Sequence, residues 1–216
     1  MRACIGKRNR AIGMNLPNLV TLSRIPGAFL IAVLLYSDFF GAATLALALF
    51  IVCAVSDWLD GYLARKMNMV STFGIFMDAL ADKIWVLGVL IALTDRRLIL
   101  PGRELIPVLI LLVILTREFL ITGMRLVAAT RGVVVGAERG GKQKTVSQII
   151  AIIVFLLIHV LETDLNRLTP QDLQQIASEY LIYIAFAFYL IATFLTVLSG
   201  ARYFVKYRHI FSEPPK

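Results

Sequence analysis

Six apolar stretches separated by short polar breaks fill most of the chain, at 18–36, 42–65, 73–94, 104–130, 143–161 and 178–204. Each approaches or exceeds the roughly 20 residues that an α-helix needs to cross a hydrocarbon layer. The breaks carry turn formers and charges: Ser37, Asp38 and Gly41, then Lys66 and Asn68, then Asp95, Arg96, Pro101 and Gly102. The pattern predicts an all-α membrane protein with six transmembrane helices. It forms one domain over 1–216, with a basic flank at 1–14 and a tail at 205–216.

Composition supports lipid as the solvent for most of the chain: 59% of the residues are hydrophobic and the mean hydropathy is +0.80. A soluble domain this apolar would lack the polar surface to cover itself. The basic residues then set the orientation. With an even number of spans, Arg2, Lys7, Arg8, Arg10, Arg65, Lys66, Arg131, Arg139, Lys142, Lys144, Arg202, Lys206, Arg208 and Lys216 fall on one side. Only Arg96, Arg97, Arg103 and Arg167 fall on the other. Both termini are therefore expected in the cytoplasm, as in a bacterial inner membrane protein. The same bias, with attraction to anionic lipid, accounts for the net charge of +8. No basic stripe with interleaved aromatics lies outside the spans, so nucleic acid is not an expected partner. The basic opening MRACIGKRNRAIG has some character of a signal or import segment, but no small-residue cleavage site follows the first span. Cys4 and Cys53 do not form a disulfide framework, and Cys53 is expected to pack between helices.

Charges inside the apolar stretches carry the chemistry. Asp57, Asp60, Asp78 and Asp82 lie within or at the ends of two of them, where each carboxylate costs about 2.5–3.5 kcal/mol to insert. Arg65 and Lys83 are the only nearby internal cations expected to offset them, which leaves the group net negative. Asp57, Asp60, Gly61, Ala64 and Arg65 share one helix face, as do Gly74, Asp78 and Asp82. If the two helices are antiparallel neighbours across the turn at 66–72, the four carboxylates meet in a polar cavity open to the cytoplasmic side. Hard oxygen ligands suit Mg²⁺ or Mn²⁺, and the lack of a Cys or His cluster argues against zinc. Gly61, Ala64 and Gly74 leave room for a ligand, although small residues also serve helix packing.

The run from Asp57 through Asp60, Gly61, Ala64 and Arg65 to Gly74, Asp78 and Asp82 resembles the complete signature of the CDP-alcohol phosphotransferases. The resemblance implies that Asp57, Asp60, Asp78 and Asp82 bind two divalent cations and that Asp82 is also the general base. Arg65 would meet the CDP phosphates, with Gly61, Ala64 and Gly74 shaping the nucleotide pocket. Asn18 and Thr21, in Asn15-Leu-Pro-Asn18-Leu-Val-Thr21-Leu-Ser-Arg24, resemble the first-helix part of that pocket, although both residue types also cap helices. The implied reaction is in-line attack by an acceptor hydroxyl on the lipid-linked phosphorus, with CMP leaving. The family also implies a homodimer.

A second cluster suggests the acceptor. Arg117 and Arg125 are eight residues apart on one helix face, and Lys142 and Lys144 open the next span. Guanidinium forks suit a phosphate. The arrangement resembles the branch of the family that makes phosphatidylglycerophosphate from CDP-diacylglycerol and glycerol 3-phosphate. Lys142 and Lys144 can also be read as interfacial anchors. Other acceptors considered are phosphatidylglycerol, which would give cardiolipin, and an inositol phosphate. A cation transporter is the alternative of a different class. The segment Gly136-Ala-Glu-Arg-Gly-Gly-Lys142 imitates a nucleotide-binding P-loop, but Gln143 stands where Ser or Thr should be and no strand precedes it. His159 and His209 are isolated, His159 being expected near a helix end.

Overall fold

The computed structural model of the chain describes residues 16–66, 72–130, 140–165 and 171–207. Each apolar stretch becomes one helix: α1 (Leu16–Leu35), α2 (Ala42–Lys66), α3 (Thr72–Asp95), α4 (Leu105–Thr130), α5 (Gly140–Thr163) and α6 (Gln171–Tyr207). A buried helix satisfies its own backbone polar groups, as an apolar solvent requires. The largest departure from the expected bounds is at α6, which starts at Gln171 rather than near 178. Its first turns are polar, so hydropathy does not report them, yet nothing in Gln-Asp-Leu-Gln-Gln breaks a helix. At 37 residues, α6 is about 55 Å long, well beyond the ~30 Å of a hydrocarbon core.

Among the described residues, three segments are long and apolar enough to cross a membrane: Leu105–Ala128, Gln143–Thr163 and Ser178–Tyr207. Thr21–Leu35 and Ala42–Asp57 are shorter apolar segments of the described residues. Large apolar side chains stand exposed along these helices, among them Phe29, Val33, Leu109, Leu112, Phe119, Leu126 and Phe194. Apolar surface this extensive is what a bilayer covers and water does not. The protein is accordingly an integral membrane protein.

The core explains how the site is positioned. α1 packs against both α2 and α3, α5 against α6 and α2, and α4 against α6. Ile31, Leu35, Phe50, Trp85, Leu90, Leu93, Phe155 and Tyr189 are fully buried in one cluster. Phe50 of α2 stacks on Trp85 of α3 with ring centroids 4.8 Å apart. Apart from this ring contact, α2 and α3 are held together among the described residues through α1, which packs against both. From the stacked rings, Asp57 lies about 10 Å and Asp82 about 4.5 Å along their helices, both displaced toward the connection at 67–71.

The opposite end is tied by polar contacts. Asp164, after α5, accepts hydrogen bonds from the Gly41 amide (2.9 Å), the Thr44 amide (2.7 Å) and the Thr44 hydroxyl (2.6 Å). It thereby caps the start of α2 from just beyond the end of α5. Tyr36, after α1, donates its hydroxyl to Asp95 at the end of α3, and the Arg96 guanidinium sits 5.3 Å from the Tyr36 ring centroid.

Candidate active site

Two helices that approach closely bring the first charged pair together. A Cβ on Gly27 of α1 would lie 3.0 Å from Sγ of Cys53 on α2, so glycine is what lets the helices close there. Cys53 is buried in that contact, as expected of a packing residue. One turn away on each helix, Arg24 donates to Oδ1 of Asp57. Arg24 is fully buried, and Thr21, one turn before it, is buried as well.

Arg24 corrects the sequence reading, which counted only Arg65 and Lys83 as internal cations near the aspartates. A buried guanidinium from α1 offsets the insertion cost of Asp57 and fixes its rotamer. Its position within an apolar stretch, three residues after Thr21, was the available signal.

Of the four expected metal ligands, Asp57 on α2 and Asp82 on α3 are described, both partly buried, and among the described residues the two helices meet mainly through α1 rather than as the expected neighbours. Both are hard oxygen donors of the kind a divalent cation takes, although among the described residues no group of three or more His, Cys, Asp or Glu side chains is gathered where it could hold a metal ion. Asp60, Gly61, Ala64 and Arg65 lie on α2 and Gly74 and Asp78 on α3, but their side chains are outside the described set. So are those of Asn18 on α1 and Lys142 on α5.

The second cluster is built around Glu118, which the sequence reading did not single out. Glu118 is buried on α4. Its Oε1 accepts from Nη1 of Arg117 at 2.8 Å and from Nζ of Lys144 on α5. Lys144 is itself buried, which excludes the interfacial-anchor reading for it. On α3, Lys83 donates to the Thr122 hydroxyl, which in turn donates to the Glu118 carbonyl at 2.7 Å. Asp82 lies within electrostatic reach of both Lys83 and Lys144, and Lys83 within reach of Arg117 and Arg125. Three cations, Arg117, Lys144 and Lys83, thus act on one buried glutamate.

Arg117 and Arg125 both engage α6. Arg117 donates through Nη2 to the Ser199 hydroxyl at 2.8 Å. Arg125 is exposed and donates through Nε to the Tyr203 hydroxyl at 3.3 Å. Between α3 and α4 runs a groove of about 420 Å³. Leu80, Ile84, Leu87, Leu115 and Phe119 line it, with Lys83, Glu118 and Thr122 as its polar members.

The described residues thus bring together a guanidinium–carboxylate pair on α1 and α2, a group of cations on Glu118 and an apolar groove between α3 and α4. The sequence profile described as CDP-alcohol phosphatidyltransferase matches residues 14–198. A CDP-diacylglycerol–glycerol-3-phosphate 3-phosphatidyltransferase of Bacillus subtilis (strain 168) is 38% identical over 204 residues, covering 89% of this chain and 94% of the relative. One of the same name from Rickettsia prowazekii (strain Madrid E) is 35% identical, covering 89% and 95%. A cardiolipin synthase (CMP-forming) of Oryza sativa subsp. japonica is 33% identical over 66% of this chain and 46% of its own length. The profile match spans most of the chain and two of these relatives align with it over nearly their whole lengths, so the chain belongs to the CDP-alcohol phosphatidyltransferase family.

Proposed function

We propose that the protein transfers the phosphatidyl group of CDP-diacylglycerol to glycerol 3-phosphate, giving phosphatidylglycerophosphate and CMP. The observation that supports this reading is the group of cations on Glu118, with Asp82 next in sequence to Lys83 and within electrostatic reach of Lys144. The proposed general base and phosphate-binding group would then serve one acceptor bearing both a hydroxyl and a phosphate.

In the proposed reaction the acceptor hydroxyl oxygen attacks the phosphorus bonded to diacylglycerol. Its proton passes to the Asp82 carboxylate. The bond from that phosphorus to the bridging pyrophosphate oxygen breaks, and CMP leaves with the electron pair. Asp57, Asp60, Asp78 and Asp82 would hold two divalent cations, Mg²⁺ or Mn²⁺, whose charge when bound neutralises the pyrophosphate. Arg65 would meet the CDP phosphates, with Asn18, Thr21, Gly61, Ala64 and Gly74 around the nucleotide. Arg117, Arg125, Lys142 and Lys144 would form the acceptor-phosphate site. The groove between α3 and α4 is suited to an acyl chain of the lipid donor.

Six membrane spans, a polar cavity and both termini on the cytoplasmic side, and a homodimer in a bacterial inner membrane complete the proposal. The six helices and the distribution of basic residues support it. The rice relative favours phosphatidylglycerol as the alternative acceptor. A phosphomonoester dianion uses the grouped cations more fully than a phosphodiester does. The test is purified protein supplied with CDP-diacylglycerol, Mg²⁺ and a panel of acceptors, following CMP. Glycerol 3-phosphate should give the highest kcat/KM, and release only with phosphatidylglycerol would overturn the assignment.

A further inference from the structure

Resting on that assignment of Arg117 and Arg125, we infer that α6 is the template that aims both arginines, with Ser199, Gly200 and Tyr203 as its positioning residues. These three fall at i, i+1 and i+4 on one helix, facing two arginines separated by two turns of α4. Ser199 Oγ accepts from Arg117 Nη2 at 2.8 Å and donates to the Thr196 carbonyl at 3.1 Å. The serine hydroxyl is therefore oriented with its lone pairs toward the guanidinium. A Cβ on Gly200 would lie 2.9 Å from Cγ and 3.4 Å from Nε of Arg117. The arginine stem thus runs across the one residue of α6 that leaves space for it.

Tyr203 does the corresponding work for Arg125. It is 3% exposed, its hydroxyl accepts from Arg125 Nε at 3.3 Å, and its ring centroid is 5.6 Å from Arg125 Cζ. Tyr207 packs on the same ring with centroids 4.7 Å apart, which fixes the ring plane. Holding Arg125 through Nε leaves the two terminal nitrogens of the fork for a bidentate phosphate contact. Orientation of this kind reduces the conformational entropy lost when the ligand binds.

The test is steady-state kinetics on the full-length protein in detergent micelles, separating the KM for glycerol 3-phosphate from that for CDP-diacylglycerol. Tyr203→Phe removes the hydroxyl and keeps the ring, and should raise the acceptor KM roughly five-fold. Gly200→Ala should raise it roughly ten-fold by displacing Arg117. The KM for CDP-diacylglycerol should not move in either variant. In an Arg125→Ala background, Tyr203→Phe should add nothing, because its effect passes through Arg125. If Arg125→Ala raises the acceptor KM but Tyr203→Phe and Gly200→Ala do not, the template role is wrong and the acceptor site stands. If Arg125→Ala also leaves it unchanged, the acceptor assignment fails and takes this inference with it. A parallel rise in both KM values would mark the α6 residues as scaffold and overturn the proposal. Should Gly200→Ala not fold, Tyr203→Phe and the double variant decide alone.

Discussion

Lys144 of α5 donates to the carboxylate of Glu118 on α4, and both side chains are buried. The pair ties two helices together within electrostatic reach of Asp82. Two opposed effects set its value: desolvation of both ions is costly, and each would cost far more if its partner were removed.

Lys144→Met should therefore destabilise the fold by about 3 kcal/mol, near the lower end for a broken buried pair because Arg117 still reaches Glu118. Lys144→Arg, which keeps a cation beside Glu118, should lose much less. Thermal unfolding in detergent measures both. Equal losses in the two variants would contradict the buried-pair account.

Arg24 and Asp57 lead to a prediction that does not depend on turnover. Removing the buried guanidinium by Arg24→Met leaves the Asp57 carboxylate without its cation from α1, and the fold should lose stability. A divalent cation at the aspartates can supply part of the missing charge. The variant should accordingly gain more in unfolding temperature from added Mg²⁺ than the unmodified protein does. Equal Mg²⁺ responses in the two proteins would separate Asp57 from the metal site.

Much of this was legible in the sequence because the membrane makes errors expensive. A helix must present about 20 apolar residues to cross, so all six helices stand out in the hydropathy. Carboxylates cost enough in that setting that Asp57, Asp60, Asp78 and Asp82 drew attention before any family did. The start of α6 did not, because the polar turn at Gln171 is helical without being apolar. Partnerships were also hidden. Arg24 meets Asp57 across 33 positions, a contact that helical periodicity cannot express. Glu118 is one polar residue beside Arg117 in the sequence, and Ser199 and Gly200 carry no charge to mark them. Their roles exist only once α4, α5 and α6 are packed.

Asp164 gives the fold a pH dependence outside the spans. Burial pushes its carboxyl upward, but hydrogen bonds from the Thr44 hydroxyl and from the amides of Thr44 and Gly41 outweigh that and hold it below the ordinary carboxylate range. A depressed folded-state pKa contributes stability that is present above the unfolded value, ~3.9, and is lost as pH falls through the folded value. Unfolding temperature should decline on acidification below about pH 4, and Asp164→Asn should flatten that decline while lowering stability at pH 7. An unchanged acid slope in the variant would show that other carboxylates govern it.

The acceptor site gives the sharpest functional contrast, between Arg125 on α4 and Arg65 on α2. In the proposed complex Arg125 makes charge-assisted hydrogen bonds to a phosphate dianion, each contributing about 1.5–3 kcal/mol. Arg125→Ala should lower kcat/KM for glycerol 3-phosphate by roughly one to two powers of ten. Arg125 is exposed and, among the described residues, is hydrogen-bonded through Tyr203, so its loss should leave the fold and the affinity for CDP-diacylglycerol nearly intact. Arg65→Ala should show the reverse, with the loss falling on the nucleotide substrate. Initial rates with each substrate varied in turn distinguish the two patterns. A damaged scaffold would depress both substrates together in either variant. Folded Arg125→Ala protein with an ordinary KM and kcat for glycerol 3-phosphate would require the acceptor phosphate to bind elsewhere.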